Sequence, residues 1–158
     1  MKFPDYLLYL LILLLFSTNL SAKGKLPVYS YQYDPTRDAI ADGIAAIELA
    51  KRTHRRVLIE VGGDWCSWCH RLDRFLENNP DIKTLLHQNF VLLKVNYSEK
   101  NYNEAFFKVF PPALGYPHMY ITDSNGTILY SKDTSELVEK NKYSRQQFLS
   151  FLNKWKIP

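Results

Sequence analysis

The chain has 158 residues, 46% of them hydrophobic and 15% aromatic, which is enough for one well-filled core and too few for two ordinary domains. Its net charge of +4 comes from basic residues spread along the chain, so nucleic acid is not an expected partner. The one basic cluster, Lys51-Arg52-Thr53-His54-Arg55-Arg56, reads as a solvated helix end whose cations favour the helix dipole.

Residues 1–22 differ from the rest, with Lys2 near the start, an apolar run from Tyr6 to Phe16 and a small polar stretch from Ser17 to Ala22. Eleven apolar residues fall short of the roughly 18 to 20 that a membrane-spanning helix needs. The stretch therefore reads as a secretory signal peptide cut after Ala22, with an uncleaved membrane anchor over residues 6–16 as the alternative. Export follows, and a bacterial periplasm fits best. Residues 23–35 are an N-terminal arm, in which Val28 to Tyr33 alternates enough to be a short strand. The folded domain is expected over 36–158.

Asp34-Pro35 supplies a capping side chain followed by proline, and predicts a helix running to about Arg52. Ile40, Ile44 and Ile47 recur along it at helical spacing among alanines. Val57 to Val61 is apolar on both faces, as in a central strand, with Glu60 the anomaly: a carboxylate buried there should have a raised pKa unless it reaches solvent. Helices are predicted from Cys66 to the Asn78-Asn79-Pro80 break and over Asp81 to His87; a strand follows at Phe90 to Val95, and a short helix over Asn103 to Val109. Met119 to Thr122 and Ile128 to Tyr130 flank an Asn125-Gly126 turn and make a hairpin, and Ser144 to Trp155 closes the chain as a helix. Early alternation demands parallel strands and the hairpin adds an antiparallel edge, which together predict a three-layer α/β/α sandwich with a mixed central sheet.

The only two cysteines lie three apart in Gly63-Asp64-Trp65-Cys66-Ser67-Trp68-Cys69-His70, directly after the central strand. A bridge across so short a loop adds little stability, because a structural staple gains by closing a long one. The pair is better suited to reversible chemistry. At the start of a helix, unpaired backbone N–H groups and the dipole would favour a Cys66 thiolate below the usual value of about 8.5.

This arrangement resembles the thioredoxin superfamily: the strand Val57 to Val61, the Trp-Cys-x-x-Cys at 65 to 69 opening a helix, Pro117 before a strand, and the Asn125-Gly126 hairpin come in the family's order. It looks most like exported thioredoxin-like thiol:disulfide interchange proteins, including the periplasmic C-terminal domain of the transmembrane thiol reductase. The resemblance implies Cys66 as nucleophile, Cys69 as resolving thiol and Glu60 as the buried acid, normally an aspartate, that takes the proton of Cys69. It also implies a cis-proline at Pro117, with Tyr116 lending backbone groups to a docked peptide and Trp65 and Trp68 as an apolar platform. No bound cofactor is implied; the implied partners are protein or peptide disulfides and a redox partner such as a membrane thiol carrier. Strong oxidants of the family carry a histidine between the cysteines. This chain has Ser67-Trp68 there, although His70 could partly replace it, so a reductase or carrier is favoured over an oxidase.

Two rivals use the same residues. Cys66-Ser67-Trp68-Cys69-His70 matches the attachment motif of c-type haem, with His70 and Met119 as axial ligands. Alternatively, Cys66, Cys69 and His70 or His118 could grip copper or zinc as a soft site.

Overall fold

The computed structural model describes residues 32–158. The signal peptide expected over 1–22, and all but the end of the expected arm, lie outside the described residues. Gln32 and Tyr33, where the expected strand would finish, are not strand.

The first helix, α1 (Ala39–Thr53), begins later than Asp34-Pro35 suggests. Asp34 spends its carboxylate on the backbone N–H of Thr36 at 2.8 Å, closing a turn, and Asp38 is the cap, accepting from Ile40 N–H at 2.9 Å and Ala41 N–H at 3.2 Å. The isoleucine pattern is also misleading. Ala39, Ala46, Leu49 and Ala50 are buried, whereas Ile40 and Ile44 are 48% and 56% exposed and only Ile47 packs against the core. An alanine face brings the helix close to the sheet beneath it. The basic cluster after it needs correction too: Arg55 is buried and donates to His87 O at 2.9 Å, Phe90 O at 3.2 Å and Thr53 Oγ1 at 2.9 Å, and burial pulls its pKa down. It clips the start of the first strand to the turn that enters the second.

That first strand is β1 (Arg56–Gly62). The helices α2 (Ser67–Glu77) and α3 (Pro80–Asn89) lead to β2 (Phe90–Asn96), which pairs parallel with β1. A single turn, α4 (Glu104–Phe107), is shorter than expected because the chain leaves it through the aromatic packing of Phe106, Phe107 and Phe110 before Pro111-Pro112. β3 (His118–Thr122) runs antiparallel to β1, and β4 (Ile128–Asp133) antiparallel to β3, giving the sheet order β2-β1-β3-β4. The turn between them forms as predicted: Asp123 Oδ1 accepts from Asn125 and Thr127 N–H, and Gly126 takes φ +89°, which a glycine adopts without strain. A 3-10 turn (Thr134–Leu137) and a two-residue hairpin, β5 (Val138–Glu139) with β6 (Lys142–Tyr143), were not legible as periodic segments; α5 (Arg145–Trp155), capped by Ser144, ends the chain.

The sheet is sandwiched as expected. Val57, Ile59, Val61, Val91, Leu93, Val95 and Tyr120 face α1 and α4, while Leu58, Leu92, Met119 and Ile121 face α2, α3 and α5. The buried and exposed faces of α1 predict opposite responses to side-chain size. Ala46→Leu is expected to destabilise the domain by about 1–3 kcal/mol through overpacking. Ile44→Ala should change stability by no more than about 0.5 kcal/mol, both variants being compared with the unsubstituted protein by urea titration.

Candidate active site

β1 delivers the chain to its dithiol through a tight turn in which Cys66 N–H bonds Gly63 O at 2.9 Å. Cys66 is the N-cap of α2, with extended backbone angles, and its Sγ accepts from Cys69 N–H at 3.1 Å. The two cysteines form a disulfide with Cα atoms 5.2 Å apart. Both are buried, Cys69 completely, and they form one cluster with Tyr33, against which Trp68 and Tyr116 pack. Gly62 has to be small: a Cβ there would lie 2.4 Å from Cys69 Sγ.

Glu60 does not escape to solvent. It is fully buried on the α2 side of β1, one alternation before Gly62. Its Oε1 accepts from the Tyr33 hydroxyl and lies 3.6 Å from Lys94 Nζ, while Oε2 has no hydrogen-bond partner among the described residues. Burial pushes its pKa up, and the Lys94 charge and the Tyr33 hydrogen bond only partly oppose it. Lys94 is the register partner of Glu60 on β2 and is itself buried. Burial alone would pull its pKa down, but Glu60 and Asp73 together outweigh that and keep it above the usual lysine value. Asp73, on α2, pairs with Lys94 and carries the cluster out to solvent.

The aromatic residues surround this group. Trp65 is 57% exposed, donates its indole N–H to Tyr97 O at 2.7 Å and meets Tyr116 edge-on at 5.4 Å. Trp68 packs edge-on against Tyr143 at 5.6 Å and lies under the Arg71 guanidinium, 4.4 Å away. Tyr116 stacks on Tyr97, and burial together with that neighbour pushes its phenol up to about 12. The Tyr116–Pro117 peptide bond is cis.

The ligand sets of the two rivals are not brought together. His70 Nε2 lies 2.8 Å from Asp64 O, so its ring is tied to the turn rather than aimed between the cysteines. Met119 is wholly buried in the core with Leu58, Leu72 and Phe148. His118 shares the α1 side of β3 with Tyr120, 4.8 Å away, and its Nε2 pairs with Ser131 Oγ, whereas the cysteines lie on the opposite side.

With this geometry established, comparison with known proteins is direct. A family model described as thioredoxin-like matches residues 38–124. The chain belongs to the thioredoxin-like family. Among solved structures it is similar to a disulphide isomerase from Xylella fastidiosa Temecula1, with 27% identity and a TM-score of 0.67 over 79% of this chain and 96% of that one. It also shares the fold of the C-terminal domain of Neisseria meningitidis DsbD in its oxidised form, at 15% identity and a TM-score of 0.57 over 79% and 98% of the two chains. Over 70 residues it is 30% identical to spermatogenesis-associated protein 20 of Mus musculus; that is 44% of this chain and 9% of that protein, so the chain spans less than a tenth of this curated relative.

For a thioredoxin-like chain, Tyr33, Asp73, Lys94, Tyr97 and Tyr143 were the site residues that sequence reasoning passed over. Lys94 carried a usable signal: a lone charge in the apolar strand Phe90 to Val95, as anomalous as Glu60 in its own strand. Tyr33 carried none, because its partner is 27 residues away.

The raised Glu60 pKa predicts a definite pH dependence. An acid whose folded pKa lies above the unfolded value of about 4.3 contributes stability fully below that value, and the contribution is lost as pH rises through the folded pKa. The unsubstituted protein should therefore lose stability relative to Glu60→Gln as pH rises above the ordinary carboxylate range, when urea unfolding of the oxidised proteins is compared. Parallel curves would mean that Glu60 ionises at an ordinary carboxylate pKa.

Proposed function

We propose that this protein is an exported thiol:disulfide oxidoreductase that reduces or relays disulfides of proteins and peptides through Cys66 and Cys69. The observation that carries this reading is the Cys66–Cys69 disulfide at the N-terminus of α2, joined to a buried acid and faced by the Tyr116–Pro117 turn. In the reduced state the Cys66 sulfur sits where the Cys69 N–H and the helix dipole favour a thiolate. That thiolate attacks a substrate disulfide and forms a mixed disulfide; Cys69, deprotonated with the help of Glu60, then attacks Cys66 and releases the reduced substrate. Tyr116 and Pro117 offer backbone to an extended peptide, and the exposed face of Trp65 with Trp68 offers it apolar contact. A second dithiol protein, a membrane thiol carrier, returns the pair to the reduced state. Residues 1–22 direct the chain out of the cytoplasm, to the periplasm in a bacterium.

The tie of His70 to Asp64 O supports a reductase or carrier over an oxidase, because no imidazole is aimed at the space between the cysteines. Replacing each cysteine separates the steps. Cys66→Ala is expected to abolish reduction of a protein disulfide such as those of insulin while leaving the circular dichroism spectrum unchanged. Cys69→Ser should accumulate the mixed disulfide, visible as a mass increase on non-reducing gels. Undiminished activity of Cys66→Ala would remove the dithiol from the function.

A further inference from the structure

One buried polar group beside the dithiol has no part in the scheme above. Tyr33 is 4% exposed, gives its hydroxyl hydrogen to Glu60 Oε1 and packs with both cysteines. Gly62 measures how closely these groups converge: the same built Cβ that would meet Cys69 Sγ at 2.4 Å would lie 3.0 Å from Tyr33 Oη. The hydroxyl thus lies over Gly62 together with the sulfur that must lose a proton, in one packed cluster with it, and bonds the carboxylate that must gain one. A phenol carries one donor hydrogen and free acceptor lone pairs, so it can take a proton on one side while releasing its own on the other.

We infer that Tyr33 relays the proton between the Cys69 thiol and the Glu60 carboxylate. The inference rests on the thiol–disulfide reading of the pair. During resolution the Cys69 S–H bond breaks and its proton passes to Tyr33 Oη, while the hydroxyl's own proton passes to Glu60. The electron pair left on Cys69 forms the bond to Cys66 Sγ, and the substrate sulfur departs with the pair from its bond to Cys66. When the thiolate of an external dithiol attacks Cys66 of the resulting disulfide, Cys69 leaves as thiolate and recovers the proton from Glu60 by the reverse route. Tyr33 is unchanged after each half-cycle.

Asp34, Asp64 and His70 line the cavity that opens beside Tyr33. The titratable and charged groups that act on the relay itself come from four elements. They are Glu60 on β1, Lys94 on β2 with Nζ 4.8 Å from the Tyr33 ring centre, Asp73 on α2 and Tyr143 on β6. Burial first, and then the Glu60 charge, hold the Tyr33 phenol well above its usual pKa, so tyrosinate does not build up and the hydroxyl acts as a conduit rather than a store.

The test uses the reduced full chain and the aromatic disulfide 5,5′-dithiobis(2-nitrobenzoate), which reports two steps by absorbance. The first release of thionitrobenzoate reads Cys66 attack, and the second reads resolution by Cys69. Tyr33→Phe keeps the ring and removes only the hydroxyl. It should leave the first release within about twofold and slow the second by about tenfold or more near pH 6.5, the gap closing towards pH 9 as hydroxide takes over. A second release within about twofold of the unsubstituted protein across that range would overturn the relay while leaving the dithiol reading intact. Should Tyr33→Phe fail to hold its fold, the unsubstituted protein decides: second-release rates in mixtures of light and heavy water should curve, because two protons move together, and a straight line would overturn the relay. If the unsubstituted protein shows no second release at all, the dithiol reading falls and the relay falls with it.

Discussion

A carboxylate inside an apolar sheet has to be compensated, and much of the arrangement around the dithiol follows from that one demand. Burying Glu60 as an isolated anion would cost several kcal/mol, and the protein meets this by partial neutralisation and by pairing. The pairing partner, Lys94, comes from the strand beside it in exact register, and is itself too deeply buried to stand alone. Lys94 in turn takes Asp73 from α2. The helix that carries the cysteines is therefore bound to the centre of the sheet by charge as well as by the packing of Leu72 and Leu76. Lys94 is the hinge of the cluster, because removing it would leave the buried Glu60 without its cation and Asp73 without its partner.

The sheet separates two environments. Against α1 and α4 it is mainly apolar, His118 aside, filled by Val57, Ile59, Val61 and their neighbours from β2 and β3. Against α2 the apolar packing is interrupted by Tyr33, Glu60 and Lys94 in a line that reaches solvent at Asp73. Alternation along a single strand produces this division, since Leu58, Glu60 and Gly62 point one way and Val57, Ile59 and Val61 the other. The same alternation places Gly62 under Cys69, where only the absence of a side chain lets the sulfur approach the backbone.

Most of the architecture was legible in the sequence because the elements that make it are long and strongly patterned. β1, β2, the hairpin and α5 lie within a few residues of where their apolar periodicity puts them. The failures have physical causes. The start of α1 was misplaced because Asp34 and Asp38 are both good caps, and the choice between them depends on a local turn with Thr36. Its buried face is not the isoleucine stripe that gave the helical period, because close approach to the sheet selects alanine. Arg55 was read as solvated because charge was weighed without the carbonyls of His87 and Phe90 that satisfy it. At the candidate site, Cys66, Cys69 and Glu60 stood out as local anomalies. Tyr33 and Tyr143 did not, because neither is anomalous until the chain brings it to a distant partner.

Tyr33 also bears on where the functional unit ends. Similarity to the thioredoxin-like family covers residues 38–124, and the Asp34-Pro35 helix start sets the expected start of the domain at residue 36. Yet the side chain that covers Cys69 and Glu60 from one side precedes both limits, and Tyr143, packed against Trp68 on another side, follows the matched segment. A fragment trimmed to the family boundaries would retain both cysteines and the acid while opening their enclosure to water at two places. Homology thus outlines a shorter piece of chain than the one that keeps this dithiol dry.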